Sequence, residues 1–361
     1  MSGEPVDLDD LDAIARLDSL DVLGTVEDFA EQCRSAWEIG SAARDLPSSE
    51  GVDAIVVLGM GGSGVSGDLA QSVIEPRFHV PMRVIKDYGP LPAWVGRNTL
   101  VFSVSYSGNT EETLAATQEA HDRGARVVAI SAGGRLAEAA AEYGIAHVAI
   151  PSGLQPRASL GYLALPILAV LEAMGFLVRM KEDVLEAIGV LEDLGKRCHR
   201  SRSTAENPAK SLAKALDGKA ATAYGSVGLM ATAAMRFKCD LNEYAKVPAF
   251  WNYLPELDHN EIEGWGGHTE VGREYLVPVF LRDPHEHHRI ALRFEITKKL
   301  IEPHVADVVE LWPEGTSDLA RLLSMIFVTQ LASIYVGIAR GVDPGPVEIL
   351  EQLKTDLAKE R

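Results

Sequence analysis

Ala54-Ile55-Val56-Val57-Leu58, running straight into Gly59-Met60-Gly61-Gly62-Ser63-Gly64, is the stretch on which the fold turns. An unbroken apolar run rich in β-branched residues predicts a strand buried on both faces. The glycines after it predict a tight turn into a helix, whose pattern continues through Leu69, Val73 and Ile74. The same arrangement recurs downstream. A short strand at Met82 to Ile85 is followed by a stronger one at Thr99 to Val104, which ends in Ser105-Tyr106-Ser107-Gly108-Asn109-Thr110 before a helix begins at Glu111. Apolar strands at Val127 to Ile130 and His147 to Ile150 complete the series. Strands alternating with helices predict a parallel sheet covered on both faces.

Working outward, residues 9–45 show helical spacing at Leu11, Ile14 and Leu17, then at Phe29, Cys33 and Trp37. Ser159 to Gly175 reads as an apolar helix, and charged helices from about Lys181 to Leu216 form a connector. The alternation then restarts. A strand at Ala221 to Tyr224, a helix at Leu229 to Cys239, a strand at Tyr275 to Leu281, a helix at Glu286 to Ile301 and a strand at Val308 to Trp312 follow in order. Helices from about Leu319 to Ala339 and from Pro346 to Lys359 close the chain. The second half therefore reads as a diverged copy of the first. The expected organisation is N-terminal helices at 1–50, a first α/β domain at 51–153, a helical connector at 154–217, and a second α/β domain with C-terminal helices at 218–361. The fold class is α/β, with two doubly wound parallel-sheet domains of flavodoxin-like type.

A chain of 361 residues has room for two such domains. Acidic residues outnumber basic ones by 52 to 34, and no Lys/Arg-rich run occurs, so a nucleic-acid partner is not expected. The start, MSGEPVDLDDLD, lacks the basic and apolar segments of a signal peptide. Cys33, Cys198 and Cys239 are far apart and odd in number, which predicts reduced thiols in a cytoplasmic protein. The uncharged stretch Leu322 to Ala339 approaches membrane-spanning length, but it carries Ser324, Thr329, Gln330, Ser333, Tyr335 and Gly337. A buried core or subunit-contact helix is the expectation, with no membrane partner.

Gly59, Gly61 and Gly64 match G-x-G-x-x-G, a pattern shared by dinucleotide folds and by ordinary tight turns; Asp87 would then be the ribose-binding acid. Either way the loop offers N–H groups at a helix N-terminus. The second loop favours a phosphoryl group. Ser105, Ser107 and Thr110 place three hydroxyls between a buried strand and a helix start, without a lysine among them. Helix capping by Asn109 or Thr110 would account for one hydroxyl, not three.

The segments GMGGSGVSGD and SVSYSGNTEET resemble the SIS (sugar isomerase) domain. Leu241-Asn242-Glu243-Tyr244-Ala245-Lys246, Leu257-Asp258-His259-Asn260-Glu261-Ile262, and Val342-Asp343-Pro344 leading to Leu353-Lys354 resemble the bifunctional phosphoglucose/phosphomannose isomerase family, from about residue 50 to 358. The resemblance implies two SIS domains, a homodimer with its active site at the subunit interface, and a phosphorylated hexose as substrate. It implies phosphate binding by Ser105, Ser107 and Thr110, with Gly61, Gly62 and Ser63 lining the sugar. It further implies Glu243 as the base moving a proton between C1 and C2, and His259, contributed by the partner subunit, in ring opening. Lys354 would act with that histidine at the ring oxygen, and Arg157 would stabilise the enediolate; these two are matched more loosely. No cofactor or metal is implied.

These residue types suit the chemistry. Opening a cyclic hemiacetal needs a donor and an acceptor near neutral pH, which imidazole supplies. A carboxylate in a partly dry pocket can move the proton alpha to the carbonyl. A guanidinium neutralises the enediolate at any relevant pH. Each residue also has a plainer reading. Glu243, just past a helix, fits a surface acid, and His259 a hydrogen-bonded loop histidine. Lys354 fits the solvent face of an amphipathic helix with Ile349, Leu350, Leu353 and Leu357 turned inward, and Arg157 a salt-bridge former. Pro284-His285-Glu286-His287-His288 fits a polar helix start better than a metal site, and Trp251, Tyr253 and Trp265 fit core or interface packing better than a wall for the sugar. Two other functions remain open at this stage. One is a sugar-phosphate-binding module without chemistry; the other is an NAD(P)-dependent oxidoreductase resting on the glycine loop and Asp87.

Overall fold

The structure, a computed structural model, describes residues 4–267 and 269–359. Helices α1 (Leu11–Leu17), α2 (Val22–Glu27) and α3 (Phe29–Ser41) precede β1 (Ala54–Leu58), α4 (Gly61–Ile74), β2 (Met82–Ile85), β3 (Thr99–Val104), α5 (Glu111–Asp122), β4 (Arg126–Ser131), α6 (Gly134–Tyr143) and β5 (Ala146–Ala149). Then come α7 (Leu160–Ala173), α8 (Met180–Cys198), α9 (Pro208–Ala215), β6 (Ala220–Ser226), α10 (Leu229–Tyr244), β7 (Phe250–Leu254), α11 (Glu261–Gly264) and α12 (Thr269–Tyr275). The chain continues with β8 (Leu276–Leu281), α13 (His288–Ile301), β9 (Val309–Leu311), α14 (Asp318–Ala339) and α15 (Glu348–Leu357). Two compact units result. One holds Asp28–Asp193 with Pro313–Ser324; the other holds Leu194–Trp312 with the N-terminal and C-terminal segments.

In the first unit the sheet runs β2-β1-β3-β4-β5, and every pair is parallel. All residues of β1 and β3 are buried, as their continuous apolar runs require. The alternation of side chains across the pleat assigns the two faces. Val56, Leu58 and Val101 pack with Ala116 and Ala120 of α5 on one face. Val57 points the other way, where α4 comes so close that a Cβ on Gly67 would lie 2.8 Å from Val57 Cγ1.

In the second unit the order is β7-β6-β8-β9, again all parallel. With β7 in the place of β2 and β6 in the place of β1, this is the first topology without its fifth strand, so the expected duplication is present. Its core gathers Tyr224, Leu254, Leu257, Phe280, Ile290, Phe294 and Ile301. Arg282, only 3 % exposed, joins β8 to its neighbours. Its guanidinium bonds Glu286, Glu295 and Glu310 at 2.8–3.0 Å and lies 4.5 Å from the Phe294 ring and 4.8 Å from that of Trp312.

Three expectations need correction. First, β7 was not anticipated, because its sequence Phe-Trp-Asn-Tyr-Leu lacks an aliphatic run. It is an edge strand that leaves Phe250 and Trp251 exposed, and Trp251 stacks on Tyr253. Second, α10 runs past Cys239 to Tyr244, since Phe237, Leu241 and Tyr244 continue the buried stripe. Glu243 is therefore inside the helix. Third, Ile349, Leu350, Leu353 and Leu357 of α15 are not turned inward; they are 87, 43, 56 and 54 % exposed. Helical spacing aligns such residues on one face, but only packing decides whether the face is covered.

Other expectations hold. The apolar stretch in α14 is 89 % buried, as a core helix requires, and all three cysteines are free. Trp265 packs against the second core, edge-on to Tyr224. His287 is the N-cap of α13, accepting from Arg289 N, so the histidine-rich segment is a polar helix start.

Glu186 ties α8 to residues 313–324 of the same unit. Its carboxylate accepts from Thr316 N at 2.6 Å, Thr316 Oγ1 at 2.5 Å and Ser317 N at 3.0 Å. Desolvation pushes its pKa up, but these hydrogen bonds outweigh it and hold the group down at about 2. A depressed carboxylate pKa stabilises the fold above the unfolded-state value, and that contribution is lost as pH falls through the folded-state value. Glu186→Gln is thus expected to lower stability by about 1–3 kcal/mol at neutral pH in urea melts. The gap should close between about pH 4.5 and about pH 2. A gap that persists at the acid end would contradict this account.

Candidate active site

β1 and β3 are neighbours with Leu58 opposite Ser103, so their carboxyl ends finish level and the two loops emerge side by side. Helix α4 starts directly at Gly61 and α5 at Glu111, which aims both helix N-termini at the same end of the sheet. Ser63, 5 % exposed, accepts a bond from Tyr106 N at 3.2 Å and so joins the loops. Ser105 is fully buried, and its Oγ lies 2.9 Å from Thr110 Oγ1. Thr110 occupies the N-cap position of α5, yet its side chain makes no capping bond. Its hydroxyl turns to Ser105 instead. Ser107 is exposed, with its Oγ accepting from Asn109 N at 3.2 Å.

A third segment joins these two loops. Tyr106 accepts a bond from Leu154 N at 2.8 Å through its hydroxyl, and burial raises the pKa of that phenol. Gly62 lies against the turn Pro156–Ala158: a Cβ there would come within 2.9 Å of Pro156 O. This close approach is what glycine permits at 62. Arg157, in that turn, is 5 % exposed. Gln32 of α3 staples the same turn, donating to Ala158 O at 2.9 Å and accepting from Gly161 N at 2.7 Å. Gly62, Ser63, Ser105, Thr110 and the backbone carrying Arg157 are thereby gathered within one unit.

Several contributors were not apparent from the sequence. The loop after β4 braces the hydroxyl loop, with Ala132 N donating to Tyr106 O, Leu136 N to Gly108 O and Arg135 N to Asn109 Oδ1 at 2.9–3.1 Å. Gly108 has φ +68°, and a Cβ on it would meet Gly133 O at 1.8 Å. Glycine at 108 is therefore required by both conformation and space. Lys86, just past β2, packs its stem on Gly64 and pairs with Asp68, whose carboxyl is pushed up by burial against the pull of that lysine. The signal for Lys86 is its place immediately after a strand end. Gln32 lies in an N-terminal segment that carries no motif. Asp87 is exposed and accepts from Tyr88 N at 2.7 Å.

Glu243, His259 and Lys354 belong to the other unit. Glu243 is half-buried in the last turn of α10. That helix end is fixed from several sides. Tyr244 receives a bond from Gln330 Nε2 at 3.0 Å, and Asn242 Nδ2 reaches Val247 O at 2.8 Å. Lys246 donates to the carbonyls of Glu243 and Pro344, which holds the Val342-Asp343-Pro344 turn close by. Gly337 of α14 allows α10 to approach; a Cβ there would be 2.8 Å from Tyr244 O. Upstream on α10, Arg236 and Asp240 form an ion pair, both 1 % exposed, at 2.7 Å. His259 ends the short helical turn Glu256–His259 and is exposed. Lys354 is exposed on α15.

Comparison with known proteins finds matches for both α/β units. A model of the SIS domain matches residues 51–150, and one described as the bacterial phospho-glucose isomerase C-terminal SIS domain matches residues 205–357. The chain is 38 % identical over 335 residues to the bifunctional phosphoglucose/phosphomannose isomerase of Caldicellulosiruptor bescii, covering 93 % of this chain and 98 % of the relative. It is 37 % identical over 344 residues to that of Aquifex aeolicus, covering 94 % and 99 %. Among solved structures, a hypothetical protein from Thermus thermophilus superposes with a TM-score of 0.72 at 17 % identity, over 97 % of this chain and 94 % of that one, a likeness of fold. By the identity and extent of these matches, the chain belongs to the bifunctional phosphoglucose/phosphomannose isomerase family.

Proposed function

We propose that the protein is an aldose–ketose isomerase that interconverts glucose 6-phosphate, mannose 6-phosphate or both with fructose 6-phosphate through an enediol(ate). The observation that carries this reading is the hydroxyl pair Ser105–Thr110, left uncapped at the N-terminus of α5 and level with the glycine-rich loop. Such a site binds a phosphoryl group by N–H and hydroxyl donors. Family membership supports the same substrate class, and disfavours both the non-catalytic and the nicotinamide readings.

In this scheme Ser105, Ser107 and Thr110 hold the phosphate, and Gly61, Gly62 and Ser63 line the sugar. The phosphate undergoes no reaction; its binding energy fixes C1 and C2 relative to the base. His259 and Lys354 serve ring opening by exchanging a proton at the ring oxygen. Glu243 removes the proton at one carbon and returns it to the next, while Arg157 stabilises the enediolate. None of these steps calls for a metal or a cofactor. A cytoplasmic homodimer, with His259 supplied across the subunit interface, completes the reading. Its support is the three free cysteines, the exposure of His259 and the uncovered apolar face of α15.

Glu243→Gln is expected to keep KM within about threefold and to lose about 10²–10⁴-fold in kcat, the usual weight of general acid–base catalysis. Retained turnover in a coupled assay would remove Glu243 from the role of base. Thr110→Val should act on binding, raising KM for fructose 6-phosphate by about tenfold or more through loss of a charge-assisted hydrogen bond. An unchanged KM would move the phosphate elsewhere. For His259→Ala, fructose 6-phosphate should suffer far more than 5-deoxyfructose 6-phosphate, which lacks O5 and cannot close the furanose ring. Equal losses on the two substrates would argue against a part in ring opening.

A further inference from the structure

His259 is exposed, and an exposed imidazole on a loop would ordinarily sample many orientations. The residues on either side of it are nonetheless tightly held. Asp258, whose side chain is 8 % exposed, accepts from Arg293 Nη1 and from Thr297 Oγ1, both at 2.9 Å and both on α13. Two positions after His259, Glu261 accepts from Asn252 Nδ2 of β7 at 2.6 Å with one oxygen and from the Tyr224 hydroxyl of β6 with the other. Leu257 is fully buried in the core that includes Tyr224, Phe280 and Phe294. Asn260 accepts from Glu261 N at 2.6 Å and donates to Glu256 at 3.2 Å. The turn is thus tied to two strands and one helix.

The cost of these ties shows that they are not incidental. Tyr224 is a fully buried phenol on the central strand, and it aims its hydroxyl at a carboxylate. Burial raises the phenol pKa, and the Glu261 charge raises it further, so Tyr224 keeps the proton that it donates to Glu261. A turn serving only as a connector would need neither a buried acceptor nor two carboxylates anchored in different directions. No signal for this arrangement stands in the sequence, because Tyr224, Asn252, Arg293 and Thr297 come from three separate elements.

We infer that Asp258 and Glu261 are positioning residues that clamp His259 from both sides, with Arg293 and Thr297 holding one arm and Tyr224 and Asn252 the other. The clamp rests on the reading of His259 as the ring-opening group and specifies what makes an exposed imidazole precise enough for that role. Misplacing a proton donor by about 1 Å costs on the order of 10²-fold in rate. The cost falls only on the step that uses that donor.

The test compares Asp258→Ala, and the double variant Tyr224→Phe with Thr297→Val, against the parent enzyme. The double variant removes only two hydroxyl groups and leaves the core hydrocarbon intact, so it guards against simple failure of Asp258→Ala to fold. With fructose 6-phosphate, kcat/KM should fall by about 10–100-fold, and with 5-deoxyfructose 6-phosphate by less than about threefold. The ratio of the two is the readout, since a general loss of folded enzyme lowers both alike. Equal losses on both substrates, or no loss on either, would overturn the clamp. His259→Ala is measured alongside. If it discriminates between the substrates and the clamp variants do not, the clamp alone is refuted. If His259→Ala itself fails to discriminate, the role of His259 falls and the clamp with it.

Discussion

The parallel pairing of β1 with β3 is the constraint from which the candidate site follows. Because Leu58 stands opposite Ser103, the two strands end at the same level, and each hands its chain directly to a helix. Parallel strands need crossover connections, and helical crossovers bring every helix N-terminus to the carboxyl edge of the sheet. Two sets of unsatisfied N–H groups therefore face one region. A pairing shifted by one residue would turn the buried side chains of β1 to the wrong faces and would also separate the loops.

What the loops then do depends on which polar groups remain available. Ser103 and Thr117 spend their hydroxyls on each other inside the core. Ser105 and Thr110, two and seven residues further on, sit at the helix mouth and bond one another without capping the backbone. The neighbouring loop after β4 and Gln32 bond the main chain and the Asn109 side chain of these segments without engaging the hydroxyls of Ser105 and Thr110. Preorganisation of this kind lets binding energy position a substrate without first ordering the protein.

The second unit repeats the sheet but carries different polar groups on it. Its strand-to-helix turn after β6 has no counterpart of the Ser105–Thr110 pair among the described residues, and the end of α10 that bears Glu243 is fixed by Gly337, Gln330 and Lys246. The equivalent of β2 is the aromatic strand β7, and its Asn252 joins Tyr224 in holding the segment that bears His259. The two units thus share a framework and differ in the polar groups attached to it. Fold and function separate at that level.

Much of this was legible in the chain itself. Continuous apolar runs such as 54–58 and 99–104 marked buried parallel strands, because only strands covered on both faces need no polar side. Gly59 to Gly64 and Ser105 to Thr110 marked the loops, and the Glu243 and His259 segments resembled a known family. Other features depend on contacts between residues distant in sequence, and these appear only on folding. Helical spacing at 349–357 could not say that its apolar face is left uncovered. No aliphatic run announced 250–254 as a strand; its pairing with β6 at the sheet edge places it there. Gln32, Lys86, Asn252, Arg293 and Thr297 gain their roles from partners that local sequence does not name. Periodicity reports how a segment divides its faces; tertiary packing decides what each face meets.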